Sequence, residues 1–339
     1  MWVSNASELD VLIVEHFQKL FSSGGSLCDP VLSCIENSVT ALYDQLLIEP
    51  FTAMDVKEAL FSMHPDKSPR PYGMNPVFYQ KFWNIIRQDV TDACLSFILN
   101  RTFPDELNDT LIVLIPKKLQ PETLSDMRPI ALCNVLYKIV VQMLANRMKL
   151  ALDSVISESQ SAFVPGRAIT DNMRISTEIV HYLKKKKQGK IGIVALKIDM
   201  SKAYDQIEWD FLKAMMLKMG FDEGWVDLIM LCVSTVRYKV IRNGVEVGSI
   251  ISSRGLRQGD LLSPYLFIIC AEGLSSLIRN RERAGFLHGV RVAKSAPAVS
   301  HLFFADDCFL FFKANLNEAR IIKRLLAIYG CFWTACELS

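Results

Sequence analysis

Leu302-Phe303-Phe304-Ala305-Asp306-Asp307-Cys308-Phe309-Leu310-Phe311-Phe312 is two short apolar runs separated by a pair of aspartates. Apolar runs of this length, rich in aromatic residues and interrupted by two polar residues, predict a β-hairpin with Asp306 and Asp307 at its turn. An acidic turn in solvent is the ordinary reading of Asp-Asp. Here five phenylalanines flank it, so the turn sits in or beside a core. Carboxylates in such a place are costly unless something pairs with them. A bound hard cation resolves the conflict, because divalent ions of that kind take carboxylate oxygens.

The same puzzle recurs at Asp199. Residues 191–198 read as a buried strand, and the strand ends on this single acid. If the two elements are neighbours in one sheet, the acids converge. They could then hold a pair of Mg²⁺ ions roughly 3.5–4 Å apart, the arrangement that serves phosphoryl transfer. A nuclease would use the same chemistry. A third element is the loop Ser253-Arg-Gly-Leu-Arg-Gln-Gly-Asp260, which runs into a helix start at Ser263-Pro264 with Ser as N-cap. Gly255 and Gly259 let the backbone approach a ligand, and Arg257 and Gln258 can donate to phosphate, sugar or base. An ordinary loop leading into a helix is the alternative.

Outward from these elements the chain alternates helices and strands. Val11, Val14, Phe17 and Phe21 recur at helical spacing, and further helices are expected over 53–63, 75–86, 89–99 and 135–152. Leu111-Ile-Val-Leu-Ile-Pro116 suits a strand leading to a basic tip at Lys117-Lys118. Ile207, Phe211 and Met215 predict one buried face of a helix over 209–219. Leu266, Cys270, Leu274 and Leu277-Ile278 predict another after Ser263. Lys67 to Met74 is a Pro/Gly-dense turn, and Lys184–Lys187 with Lys190 form a charge run read as a solvated turn.

The 339 residues are half hydrophobic, enough for one large domain or two ordinary ones. Apolar runs such as 261–271 are far short of the roughly 20 residues that span a bilayer, and the start of the chain lacks the pattern of a signal peptide. An intracellular protein without membrane partners is expected. Nine cysteines without a Cys-x-x-Cys pair and five scattered histidines argue against zinc and against disulfides. Net charge is +2, but unevenly placed. Residues 1–100 carry 6 Lys/Arg against 12 Asp/Glu, and residues 101–202 carry 16 against 10. A basic middle third can attract phosphates.

Three stretches, in order and spacing, resemble the core palm motifs of non-LTR (LINE-type) retrotransposon reverse transcriptases, most like those of plant elements. They are Lys197-Ile-Asp-Met-Ser-Lys-Ala-Tyr-Asp205, Arg254-Gly-Leu-Arg-Gln-Gly-Asp260 with Ser263-Pro264, and Phe304-Ala-Asp-Asp307. The likeness extends upstream through Leu114-Ile-Pro-Lys117, Arg128-Pro-Ile130, Cys133-Asn-Val-Leu-Tyr-Lys138, Ala145-Asn-Arg147, Gln160-Ser-Ala-Phe-Val-Pro-Gly-Arg167 and Asp171-Asn172. It covers roughly residues 45–335.

The resemblance implies an α+β right-hand polymerase fold, with helical fingers and an antiparallel-sheet palm. Residues 1–50 would be a helical extension, 51–190 fingers and 191–339 palm, with 110–339 the core domain. It implies RNA-directed DNA synthesis from dNTPs on an RNA template and DNA primer. Asp199, Asp306 and Asp307 would be the catalytic carboxylates holding two Mg²⁺ ions, with Mn²⁺ able to substitute. Tyr204 would pack under the nucleotide sugar, where a 2′-hydroxyl collides with the ring. Gln258 and Gly259 would shape the nucleotide pocket, with Arg128, Lys117 and Lys118 facing the triphosphate or template. Arg167 and Arg257 would contact template or primer. An active chain would work in the nucleus.

Departures from the family pattern are Arg70 and Tyr72 in the turn at 67–73, Leu261 after Asp260, and Thr334-Ala335 for Ser-Gly. The chain stops at Ser339, before a lysine-bearing stretch and a thumb that the family carries. An inactive remnant of a decayed element and a non-catalytic, maturase-like RNA-binding relative therefore stand beside the polymerase reading.

Overall fold

In the computed structural model, residues 5–25, 29–66, 73–104, 106–186, 192–200 and 204–330 are described. The Pro/Gly turn at 67–73, the lysines beyond Lys186 and the stretch around Thr334-Ala335 lie wholly or partly outside them.

Six helices come first: α1 (Ala6–Leu20), α2 (Asp29–Leu32), α3 (Ala41–Ile48), α4 (Ala53–Phe61), α5 (Pro76–Lys81) and α6 (Trp83–Asn100). Polar caps set several of their starts. The Thr52 side chain accepts from the Asp55 amide while Asp55 accepts from the Thr52 amide, and Asn75 caps α5 with Pro76 in its first turn. Strands β1 (Asp109–Pro116) and β2 (Met127–Leu132) follow, then α7 (Val135–Val155), capped by Asn134, and α8 (Ile169–Lys185). β3 (Ile193–Asp199), α9 (Trp209–Met219), α10 (Glu223–Ser234), β4 (Arg237–Arg242) and β5 (Val245–Ile251) come next. The remaining elements are α11 (Ser263–Arg283), β6 (His301–Phe304), β7 (Asp307–Lys313) and α12 (Leu316–Gly330).

Two sheets result. One has the order β2-β1-β4-β5, antiparallel except for the parallel pair β1/β4. The other has the order β3-β7-β6 and is antiparallel throughout. The fold is thus mixed helix and sheet. Between the sheets runs the main core, built on α7 and α11 with α4, α6, α9, α10 and α12 packed around them. From Leu266 to Ile278 every residue of α11 is buried, the mark of a helix enclosed on all sides. Its polar residues are paired: Glu272 meets Arg279 at 2.6 Å and accepts from the Ser157 amide and hydroxyl. Arg147 of α7 ties the end of α3 down by donating to the carbonyls of Leu47 and Pro50, with its guanidinium over the Phe51 ring.

Two local expectations shift. Val11 is 56% exposed, and the buried face of α1 is Ile13, Phe17 and Leu20, which pack with Phe21 on Tyr238, Val240 and Ile250 of the four-stranded sheet. Val11 to Val14 are all apolar, so two helix faces compete, and contact with the sheet selects one. At α11 the N-cap position belongs to Leu262 rather than Ser263, which with Pro264 forms the first turn. The Asp260 carboxylate accepts the Leu262 amide at 2.9 Å and so supplies the polar partner one step earlier. No described helix is long and apolar enough to cross a membrane, and among the described residues no two cysteines are joined.

Candidate active site

The antiparallel register of β3 and β7 sets Asp199 directly opposite Asp307, Ile198 opposite Cys308 and Lys197 opposite Phe309. Directly opposed residues share a face. Ile198 and Cys308 point into the main core, so Asp199 and Asp307 occupy the opposite face, at the end of the sheet beyond the satellite cluster of Phe309 and Phe311. Phe304 pairs with Asp307, which leaves Ala305 and Asp306 as a two-residue turn. A hairpin forms where the sequence predicts one, but its turn is one residue earlier than expected and Asp307 opens β7; Phe303, Phe311 and Phe312 are buried, while Phe304 and Phe309 are partly buried against a satellite cluster.

Electrostatics ties more of the expected residues to this turn. The Asp306 carboxyl is held above its ordinary pKa, first by burial, and further by the charges of Asp307 and Asp199; its own backbone amide and Arg128 act the other way. The Tyr204 phenol is also pushed up, by burial and by Asp306. Its ring stacks on Phe267 of α11, centroids 4.8 Å apart and 14° from parallel. Arg128 lies exposed on β2. Thus Asp199, Asp307, Tyr204 and Arg128 all lie close enough to Asp306 for their charges to influence one another.

The loop before α11 is stitched to the segment after β3. The Gly255 amide donates to Ile207 O at 2.8 Å, the Leu256 amide to Tyr204 O at 2.7 Å, and the Trp209 indole to Gly255 O at 2.8 Å. Gly255 has φ +92°, and a Cβ there would stand 2.8 Å from Asp205 O, so only glycine permits this approach. Gly259 has φ +97°, and the Gln258 side chain donates to Asp205 at 2.9 Å while its carbonyl accepts the Ala131 amide. Gln258 and Gly259 thereby bridge Asp205 and β2.

Other expected residues lie elsewhere. Arg257 is 5% exposed and committed to the interior: it donates to Asn108, Thr110, Tyr137 and Cys232 O, and pairs with Asp260 at 3.2 Å. A guanidinium enclosed in this way has no face left for template or primer, which corrects the sequence expectation. Arg167 is held by the end of α7 and the loop after it, donating to Ile156 O, Ser157 O and Gln160 O and pairing with Asp153 at 2.8 Å. These bonds make it a brace for that loop. Lys117 donates to Ser125 O, and Lys118 pairs with Asp126, both at the exposed tip between β1 and β2.

Three residues without an expected role belong to the site. Lys197, two positions before Asp199 on the same face, pairs with Asp307 at 3.0 Å. Gln160, from the segment between α7 and α8, and Asn172, from the first turn of α8, reach the hairpin. Both lie in stretches that carried the family resemblance, but spacing alone gives no hint of what a buried amide touches. Among the described residues no three His, Cys, Asp or Glu side chains are gathered into a ready metal site. The Lys197 ammonium on Asp307 is the local counter-charge instead.

Comparison with known proteins agrees with the geometry. The family model described as "Reverse transcriptase (RNA-dependent DNA polymerase)" matches residues 115–330, more than half of the chain. The chain is 27% identical over 261 residues to "Transposon TX1 uncharacterized 149 kDa protein" of Xenopus laevis, covering 77% of this chain and 19% of that protein. It is 28% identical over 255 residues to "Retrovirus-related Pol polyprotein from type-1 retrotransposable element R2" of Nasonia vitripennis, covering 72% of this chain and 23% of that one. An uncharacterized mitochondrial protein of Arabidopsis thaliana is 55% identical over 98 residues, 29% of this chain and 74% of its own length. The chain therefore spans about a fifth of the length of the two transposon proteins. The chain belongs to the reverse transcriptase (RNA-dependent DNA polymerase) family, in the form carried by non-LTR retrotransposons.

Proposed function

We propose that this chain extends a DNA primer on an RNA template with dNTPs, using Asp199, Asp306 and Asp307 as the carboxylates that hold two divalent cations. The observation that carries the reading is the opposed pair Asp199/Asp307 with Asp306 beside it, whose carboxyl is raised by burial and by its two acidic neighbours. The charges of Asp307 and Asp199 disfavour the ionised form of Asp306, and a cation drawing the three side chains together would relieve that cost. The donor set is all oxygen, which fits Mg²⁺, or Mn²⁺ in its place. Bound there, the two ions supply charge neutralisation at the attacking and leaving oxygens of phosphoryl transfer.

The chain's own residues do the rest. Tyr204, braced by Phe267, presents its ring beneath the sugar and excludes a 2′-hydroxyl by contact. Gln258 and Gly259 form the pocket wall between Asp205 and β2. Arg128 supplies positive charge near Asp306, where a triphosphate would lie, and the lysines at the β1–β2 tip extend that charge outward. In this reading the sheet β3-β7-β6 is the palm of a right-hand polymerase within 191–339, and 1–50 is an extension. The fingers, expected over 51–190, also draw in residues 237–251, because β4 and β5 complete the sheet of β1 and β2.

Primer extension on an RNA template with Mg²⁺ and dNTPs, with Asp306→Asn as control, tests the proposal. Incorporation that the variant abolishes supports it. Tight, salt-sensitive RNA binding without incorporation would instead assign the chain to the maturase-like class, and neither activity would mark a remnant.

A further inference from the structure

Ala305, the first residue of the hairpin turn, has φ +57°. An alanine in the left-handed region is strained and persists only where its surroundings hold it. One segment, the stretch between α7 and α8, supplies the hold. The Gln160 side chain is 2% exposed and spans Ala305: its Oε1 accepts the Ala305 amide at 3.2 Å, and its Nε2 donates to the Ala305 carbonyl at 3.4 Å. Oε1 also accepts the Ala162 amide at 3.0 Å, which fixes the orientation of the side-chain amide. The main chain runs alongside, with the Phe303 amide donating to Ser159 O at 2.7 Å and Gln160 bridged in parallel to Phe303. Asn172, 3% exposed, donates to both Ser159 O and Phe303 O. Arg167 holds the far side by donating to Gln160 O at 3.0 Å.

We infer that Gln160 is a positioning residue for the Ala305–Asp306 turn, fixing the backbone conformation of Ala305 from which Asp306 and the adjoining Asp307 are presented. The inference rests on the reading of that turn as the cation site. Protection of an open sheet edge is the competing explanation, since β6 lies at the edge of its sheet. Edge protection needs only the main-chain contacts of Ser159 and Gln160. The Gln160 side chain instead reaches past the end of β6 to the one residue of the turn with left-handed backbone. It must accept and donate at once, which an amide does and a carboxylate or a thioether does not.

Gln160→Met fills similar space with neither bond, and Ala305→Gly provides a residue that takes positive φ without strain. Three readouts apply: amide hydrogen exchange along residues 301–313, Mn²⁺ affinity of the chain without nucleic acid, and the melting temperature. In Gln160→Met, exchange at Ala305 should accelerate roughly tenfold. Mn²⁺ affinity should fall several-fold, with β7 amides and melting temperature close to the parent. Adding Ala305→Gly should restore much of the Mn²⁺ affinity. Where the parent extends primers, kcat should fall with KM for dNTP unchanged. Unchanged exchange at Ala305 overturns the inference. So does a rise in exchange throughout β6, β7 and α8 with a lower melting temperature, which would make Gln160 a packing residue. A parent that extends no primer removes the polymerase reading, while the exchange data still decide whether Gln160 sets the turn.

Discussion

Asp306→Asn should make the cation-free chain more stable at neutral pH. Asp306 is exposed at the turn, yet partial desolvation and the charges of Asp307 and Asp199 raise its pKa above the ordinary carboxylate value. The sign follows directly. Between the ordinary and the raised value the folded chain binds more protons than the unfolded one, so stability falls as pH rises through that window. Above the raised value the cost is fully present, and below the ordinary carboxylate value it is gone. Close like charges in a sheet cost ~0.2–1 kcal/mol each, and at this exposed turn solvent screening keeps the total for two neighbours to at most about 1 kcal/mol. In a chain of this size that corresponds to a rise in Tm of about 1–3 °C. Asparagine keeps the shape and removes the charge. Calorimetry in a chelating buffer at pH 7 and pH 4, repeated with Mg²⁺ at pH 7, separates the contributions. The variant should be the more stable in chelator at pH 7, lose that advantage at pH 4, and gain less from Mg²⁺ than the parent, which stands to gain ~1.4 kcal/mol at ten times Kd. A variant less stable than the parent at pH 7, or equal stabilisation of both by Mg²⁺, would refute the reasoning.

Arg257→Met leaves Asp260 buried without its ion partner and should cost about 3–5 kcal/mol in urea unfolding, with RNA affinity per folded molecule unchanged; a selective loss of RNA affinity would restore the template role. Tyr204→Val should weaken discrimination against ribonucleotides by at least roughly tenfold in single-nucleotide incorporation, and unchanged selectivity would remove the ring from beneath the sugar. Lys197→Met frees Asp307 from a half-exposed ion pair. Because exposed pairs contribute ~0.2–1 kcal/mol, Mn²⁺ should bind up to about fivefold tighter, whereas weaker binding would mean that Lys197 assists the site.

Strands whose pattern is local were legible in the sequence. The hairpin around Asp306-Asp307 and the strand ending at Asp199 could be read because apolar runs bounded them. Their register could not: that Asp199 faces Asp307 depends on pairing across more than a hundred residues of chain. The turn between β4 and β5 is also written locally. Asn243-Gly244 between two strand-like runs is a strong mark of a tight hairpin, and both residues have positive φ, joining β4 to β5. Charged residues were the least legible. Arg257 and Gln258 are adjacent and both donate hydrogen bonds, yet one closes a buried network and the other faces Asp205. Only the fold decides which of two neighbouring donors turns inward. Gln160 and Asn172 illustrate the same limit, since their partners are backbone atoms of a distant hairpin.

The central claim is that the three aspartates hold the cations, and counting bound Mn²⁺ by electron paramagnetic resonance tests it most directly. The chain should bind Mn²⁺, reaching two ions when primer–template and dNTP are present, and Asp199→Asn and Asp306→Asn should each abolish this uptake while remaining folded. Equal Mn²⁺ uptake by the parent and both variants would contradict the account.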